Sequence, residues 1–150
     1  MSSVLLDTNV LLLYLMGNRF PGKIGTKRLS AYDLGDLRTV NAFCDKATEP
    51  ITLPNILTEV SNFLVSDHHP DAWGAELLRL YCELVAEEIY LPSKEVVEDP
   101  VFQKIGLTDA GIYRLQRNGT KIMTDDYNLY NRLMKNGVDA VNILHSKGLQ

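Results

Sequence analysis

Five short apolar runs recur along the chain: Val4–Leu6, Ile51–Leu53, Ile89–Leu91, Ile122–Met123 and Val141–Ile143. They are rich in β-branched residues, and longer stretches of helical character lie between them. Short buried strands alternating with helices imply an α/β domain with a parallel sheet. At 150 residues the chain is expected to form one domain, from 1 to 150, with a real core. No internal repeat or low-complexity segment divides it.

The first run continues as "VLLDTNVLLLYLMG", residues 4–17, whose only polar island is Asp7-Thr8-Asn9. The run is not expected to be a signal peptide, since it has no basic leader and Asp7 interrupts it. Nor is it a membrane span, which needs about 20 apolar residues. The expected location is cytoplasmic, with no membrane partner. Cys44 and Cys82 make no C-x-x-C pair, and two scattered cysteines fit buried thiols in a reducing compartment. A formal net charge of -4 argues against holding nucleic acid by bulk charge alone.

The carboxylate in that run is best understood from its address. Asp7 directly follows the first strand, and Asp126 stands just past "KIMT", the fourth. In open parallel sheets, ligands bind beyond the carboxyl ends of the strands. Four helices bear on the same edge: one capped by Asn9, one from about Asn55 to Ser66, one starting at Thr108, and one following Asp126. In the second, Ile56, Leu57, Val60, Phe63 and Leu64 form an apolar arc with Glu59 at its margin. Asp109 follows Thr108, a candidate cap. Four acids from four segments can therefore converge. Each also has a structural reading: a cap for Asp7, a helix-dipole partner for Asp109 worth about 0.3–1 kcal/mol, a solvated flank for Glu59, a turn for Asp125-Asp126. For Asp7 the cap reading is the weaker one, because Asn9 is expected to serve. Clustered carboxylates repel and raise one another's pKa values, and a divalent cation relieves this. An all-oxygen set selects Mg²⁺ or Mn²⁺ over Zn²⁺. Such an ion activates water and steadies charge on a phosphate.

In this order, "LLDTNVLL", "LTEVSNFL", "GLTDAGIYRL" and "IMTDDYNLY" resemble the motifs of the PIN domain nucleases, including VapC-like toxin ribonucleases. The resemblance spans residues 4 to 130. It implies a three-layer α/β/α fold around a parallel sheet of about five strands, and Mg²⁺- or Mn²⁺-dependent endoribonuclease activity leaving 5′-phosphate and 3′-hydroxyl ends. It makes Asp7, Glu59, Asp109 and Asp126 the metal ligands and catalytic residues. Asn9 and Thr124 stand behind them, and Asp125 occupies the variable middle position of T-x-D, where it supplements or replaces Asp126. The implied partners are an RNA substrate, a cognate antitoxin protein as in a toxin–antitoxin pair, and a second copy of the chain. The segment from Arg19 to Ala47 matches least well.

"RFPGKIGTKR" (Arg19–Arg28) reads as a mobile basic loop, with Pro21, Gly22 and Gly25 and four basic residues without an acid. Lys23, Lys27 and Arg28 there, with Arg114 and Arg117, are candidate RNA phosphate contacts, each also readable as solvated surface. His68 and His69 lack metal-ligand spacing and read as loop before a helix at Asp71. His145 is alone and reads as surface or tail. There is no G-x-G-x-x-G, Walker lysine motif or serine elbow. Two other functions remain open. A catalytically weak PIN-like module would grip RNA without cutting. A phospho-receiver signalling domain would need an acid pair after strand one, a phospho-acceptor Asp after strand three and a late lysine.

Overall fold

The protein, described as a computed structural model over residues 2–46, 49–65, 72–115 and 119–145, is a three-layer α/β/α domain. Its strands are β1 (Ser3–Leu6), β2 (Glu49–Thr52), β3 (Glu87–Glu88), β4 (Thr120–Thr124) and β5 (Ala140–Asn142). They form one all-parallel sheet in the order β3-β2-β1-β4-β5. The helices are α1 (Thr8–Arg19), α2 (Leu34–Lys46), α3 (Pro54–Leu64), α4 (Trp73–Leu84), α5 (Ser93–Val96), α6 (Phe102–Leu115) and α7 (Tyr127–Lys135).

The central strand explains why layers are needed on both sides. Val4, Leu5 and Leu6 are all buried, although successive side chains point to opposite faces. Each face of β1 must therefore be covered. Helix α1 is itself enclosed, with Val10, Leu11, Leu12 and Leu13 fully buried. It packs against α2, α3 and α4, while α6 packs against α5 and α7. A smaller apolar cluster of Val96, Val101 and Ala110 joins α5 to α6.

Several local expectations are corrected. Asp7, not Asn9, is the N-cap of α1: its side chain accepts from the Thr8 N–H at 2.8 Å. A carboxylate caps as well as an amide does, and Asn9 is already inside the helix. The third strand lies at Glu87–Glu88, upstream of the apolar Ile89–Leu91. Ile89 still donates to the Thr52 carbonyl at 2.9 Å, but the chain then leaves the ladder toward Pro92, which has no N–H to give. Ile89 and Leu91 owe their apolar character to packing against the core. Two glutamates suit the edge strand that β3 is. Helix α3 begins at Pro54 and ends at Leu64. Its buried stripe is Ile56, Val60 and Leu64, whereas Phe63 is exposed.

The Arg19–Arg28 stretch is a folded double turn rather than an open loop. Two 3-10 turns, Pro21–Lys23 and Lys27–Leu29, are closed by Gly25 N–H donating to Leu29 C=O at 2.9 Å. Gly25 has φ 86°, a reversal glycine permits, and Leu29 anchors the turn in the core. Cys44 is half-buried, but Cys82 is exposed, contrary to the buried reading. His68, His69 and Asp71 lie outside the described residues, and the helix expected at Asp71 is seen from Trp73. His145 is not a loose tail residue: its ring meets Tyr130 edge-on, with centroids 4.6 Å apart. Among the described residues no helix is long and apolar enough to cross a membrane.

Gly74 sets the approach of α4 to α3. A Cβ added there would sit 1.9 Å from the Leu64 carbonyl oxygen. Backbone cannot yield as a flexible side chain can, so Gly74→Ala must push the helices apart. The expected loss is about 1–3 kcal/mol, the usual range for overpacking. Urea unfolding measures it, and an unchanged midpoint would mean that the two helices do not meet this closely.

Candidate active site

The strand order creates the site. From β1 the chain moves outward to β2 and β3 on one side, and from β4 outward to β5 on the other. The order reverses between β1 and β4, so their carboxyl ends open a crevice. Leu6 pairs with Met123 in register, and Asp7 N–H donates to the Met123 carbonyl at 2.9 Å. Asp7 and the Thr124-Asp125-Asp126 turn are thereby delivered to the same edge.

Asp7 is 6% exposed and Thr124 is fully buried. The Thr124 hydroxyl donates to Asp7 Oδ2 at 2.7 Å, and its oxygen accepts the Asp126 N–H at 3.0 Å. One threonine thus ties the first acid to the last. Asp126 is the N-cap of α7, with Oδ1 accepting from Leu129 N–H at 2.9 Å. Asp125 Oδ2 accepts from the Asn9 amide at 3.1 Å and from the Tyr32 hydroxyl at 2.6 Å. Glu59 reaches in from α3. Its two oxygens accept from the hydroxyls of Thr8 and Thr108, each at 2.6 Å. Helix α6 is broken at Gly106, with φ 84° and ψ 175°, a region essentially open only to glycine. The break lets the second half of the helix, carrying Thr108 and Asp109, start afresh where "LTDA" predicts.

The electrostatics show that these acids share one neighbourhood. Burial pushes the Asp109 carboxyl up to about 8, reinforced by the negative charges of Asp7, Asp126, Glu59 and Asp125. Burial likewise raises Asp7 to about 6, against the hydrogen bonds from Thr124 and Thr8 that favour its charged form. Asp125 and Glu59 add to the rise. Tyr32 is driven well above the ordinary tyrosine range by burial and by Asp125, so its hydroxyl stays a donor. Among the described residues the ion pairs are Arg79 with Glu76 and Glu83, Arg114 with Asp99, and Lys121 with Asp139; none involves the five acids.

Asp7, Glu59, Asp109 and Asp126 lie near enough to one another for the other three to raise Asp109, and Thr124 and Asn9 bond directly to Asp7 and Asp125. Chemically this set of hard oxygens suits Mg²⁺ or Mn²⁺. Among the described residues no three or more His, Cys, Asp or Glu side chains stand in a group that could hold such an ion as placed. Neutral donors hold Glu59 and Asp125 instead.

Comparison with protein-family models, curated proteins and solved structures gives no match. What the chain can do rests on its own geometry.

The candidate phosphate contacts are scattered. Lys27 is exposed. Lys23 lies over the rings of Phe20 and Trp73, at 5.8 and 5.6 Å, and Arg28 over Phe63 at 4.2 Å. Arg114 is paired with Asp99 at 3.4 Å, which leaves it less available than expected. Arg117 lies outside the described residues. Three donors went unassigned in the sequence. Thr8 is visible within D-T-N, and Thr108 was readable only as a cap. Tyr32 had no local signal, since it arrives from the poorly matched segment 19–47.

Proposed function

We propose that the protein is a metal-dependent ribonuclease that hydrolyses RNA phosphodiester bonds at the β1/β4 crevice. The observation that carries this reading is the meeting of acids from four segments at one sheet edge, where the Thr124 hydroxyl ties Asp7 to the Asp126 turn and Asp109 lies among the negative charges of Asp7, Asp126, Glu59 and Asp125. One buried and four part-buried acids, with no ion pair to a cationic side chain among the described residues, fit a site that a divalent cation completes. Asp7, Glu59, Asp109 and Asp126 would draw closer than they stand here to hold Mg²⁺ or Mn²⁺, which would supply an activated water and charge stabilisation on the phosphate. Thr8, Thr108 and Thr124 orient the carboxylates through their hydroxyls. Asn9 and Tyr32 hold Asp125 behind these four acids.

The two threonine hydroxyls that already occupy both oxygens of Glu59 favour a second reading, an RNA-binding module that does not cut. The phospho-receiver reading lacks its acceptor, since Ile-Tyr-Leu-Pro follows β3. Incubating single-stranded RNA with the protein and Mn²⁺ or EDTA separates the first two. Cleavage that needs Mn²⁺ and leaves 5′-phosphates supports the nuclease. RNA binding without cleavage supports the module. A cognate antitoxin, a second copy of the chain and a cytoplasmic location belong to the same proposal.

The basic turn supplies a further expectation. Neutralising Lys23, Lys27 and Arg28 together weakens RNA binding. It also flattens the log–log salt dependence by about 0.7 for each phosphate that these side chains no longer neutralise on a single strand. Titrations across salt concentrations measure the slope, and an unchanged slope places this turn away from the RNA.

A further inference from the structure

A cavity of about 580 Å³ adjoins Glu59, between the start of α3, the segment after β3 and the α6 break. Its lining includes Asn55, Thr58, Glu59, Tyr90, Ser93 and Thr108. Three features define what it accepts. Among the described residues no Lys, Arg or His lines it, so it offers nothing to neutralise a phosphate. Its one charged group, Glu59, is pinned by Thr8 and Thr108 and borders the acids. Tyr90 is 72% exposed, leaving an aromatic face open at the mouth. Its size falls within the range of small-molecule sites, about 300–1,000 Å³.

We propose that this cavity is a nucleobase pocket, in which Tyr90 stacks on a base of single-stranded RNA and the Asn55 amide meets the base edge. It rests on the reading above that RNA is the substrate. Proteins that recognise single strands splay bases out, stack them on aromatic rings and hydrogen-bond their edges. A partly apolar cavity with no cationic side chain among the described residues, one open ring and one amide suits that part of a nucleotide. The neighbouring phosphate then falls toward Glu59 and the other acids. Tyr90 is a specificity-determining residue in this arrangement and takes no part in bond cleavage.

The test uses short RNA oligonucleotides carrying 2-aminopurine at each position in turn, mixed with the protein in EDTA and again in Mn²⁺. Stacking quenches the probe. At one position the wild-type protein is expected to quench it, Tyr90→Phe to retain the quench, and Tyr90→Ala to lose it. Tyr90→Ala should bind on the order of tenfold more weakly. An abasic site at that position should weaken wild-type binding by a similar factor and Tyr90→Ala no further. Equal quenching and affinity in Tyr90→Ala overturns the pocket, and if Mn²⁺-dependent cleavage persists the nuclease reading survives. Quenching that depends on Tyr90 without cleavage supports the pocket and removes the nuclease. A wild-type protein that binds no RNA in either condition overturns both.

Discussion

Replacing Asp7 by Asn is expected to remove at least about 100-fold of RNA cleavage in Mn²⁺ while leaving the metal-free fold intact. The rate loss follows from the several kcal/mol that a metal-held water supplies. The intact fold follows from the local contacts. Asn caps helices as well as Asp does, so the bond from the Thr8 N–H survives. The amide nitrogen that replaces Oδ2 can donate to the Thr124 oxygen, so the one bond lost is that of the Thr124 hydroxyl proton. What disappears is a buried charge whose repulsion with Asp125 and Glu59 opposes folding. In EDTA the variant should melt at the wild-type temperature or above. Added Mn²⁺ should raise the melting point of the wild type but not of the variant, because a ligand stabilises only through its affinity for the folded state. Equal destabilisation of the variant in both conditions would make Asp7 a structural cap and nothing more. Asp126→Asn should cost a similar factor in rate. Asp125→Asn should cost much less, as expected of a residue held behind the ligands by Asn9 and Tyr32. A reversal of those two effects would assign the ligand role to Asp125.

The second large effect is on pH. Asp109 stands at about 8 and Asp7 at about 6 in the folded protein, above the ordinary 3.8 of an unfolded chain. The folded state therefore holds these protons more tightly. Their contribution to stability is fully present below about 3.8 and is lost as pH rises through about 6 and then 8. In EDTA the wild-type protein should lose stability across that window, and Asp109→Asn should lose less. If the proposed site holds metal, binding displaces the Asp109 proton, so apparent Mn²⁺ affinity should fall on the order of 10-fold per pH unit below about 8. Between pH 8 and pH 6 that is on the order of 100-fold. Calorimetric titration with Mn²⁺ at several pH values checks both affinity and proton release. A flat affinity over this range would overturn either the raised proton affinity of Asp109 or its place among the ligands.

The sequence by itself determined the layers and the address of the acids. Runs such as Val4–Leu6 have no polar alternation, so their strands must be buried on both faces, and that alone implies helices on either side. Asp7 and Asp126 were legible because they interrupt or end such runs, where parallel strands present their ligand-binding edge. Helical periodicity placed Glu59 at the margin of its stripe. Other features depended on contacts between residues far apart in the chain. Nothing local shows that β1 pairs with β4, the pairing that sets Asp7 opposite Thr124. Capping by Asp7 rather than Asn9 was decided by where the strand ends, which shifts with its neighbours' register. Glu87–Glu88 carries no apolar signal, since an edge strand needs little of its own once β2 offers a ladder. Tyr32 reaches Asp125 across 93 residues of sequence, and only the folding of the basic double turn around Leu29 brings it there. The charge state of Asp109 is the clearest case. Its residue type allows it to titrate, but burial and four approaching carboxylates, all tertiary facts, decide where.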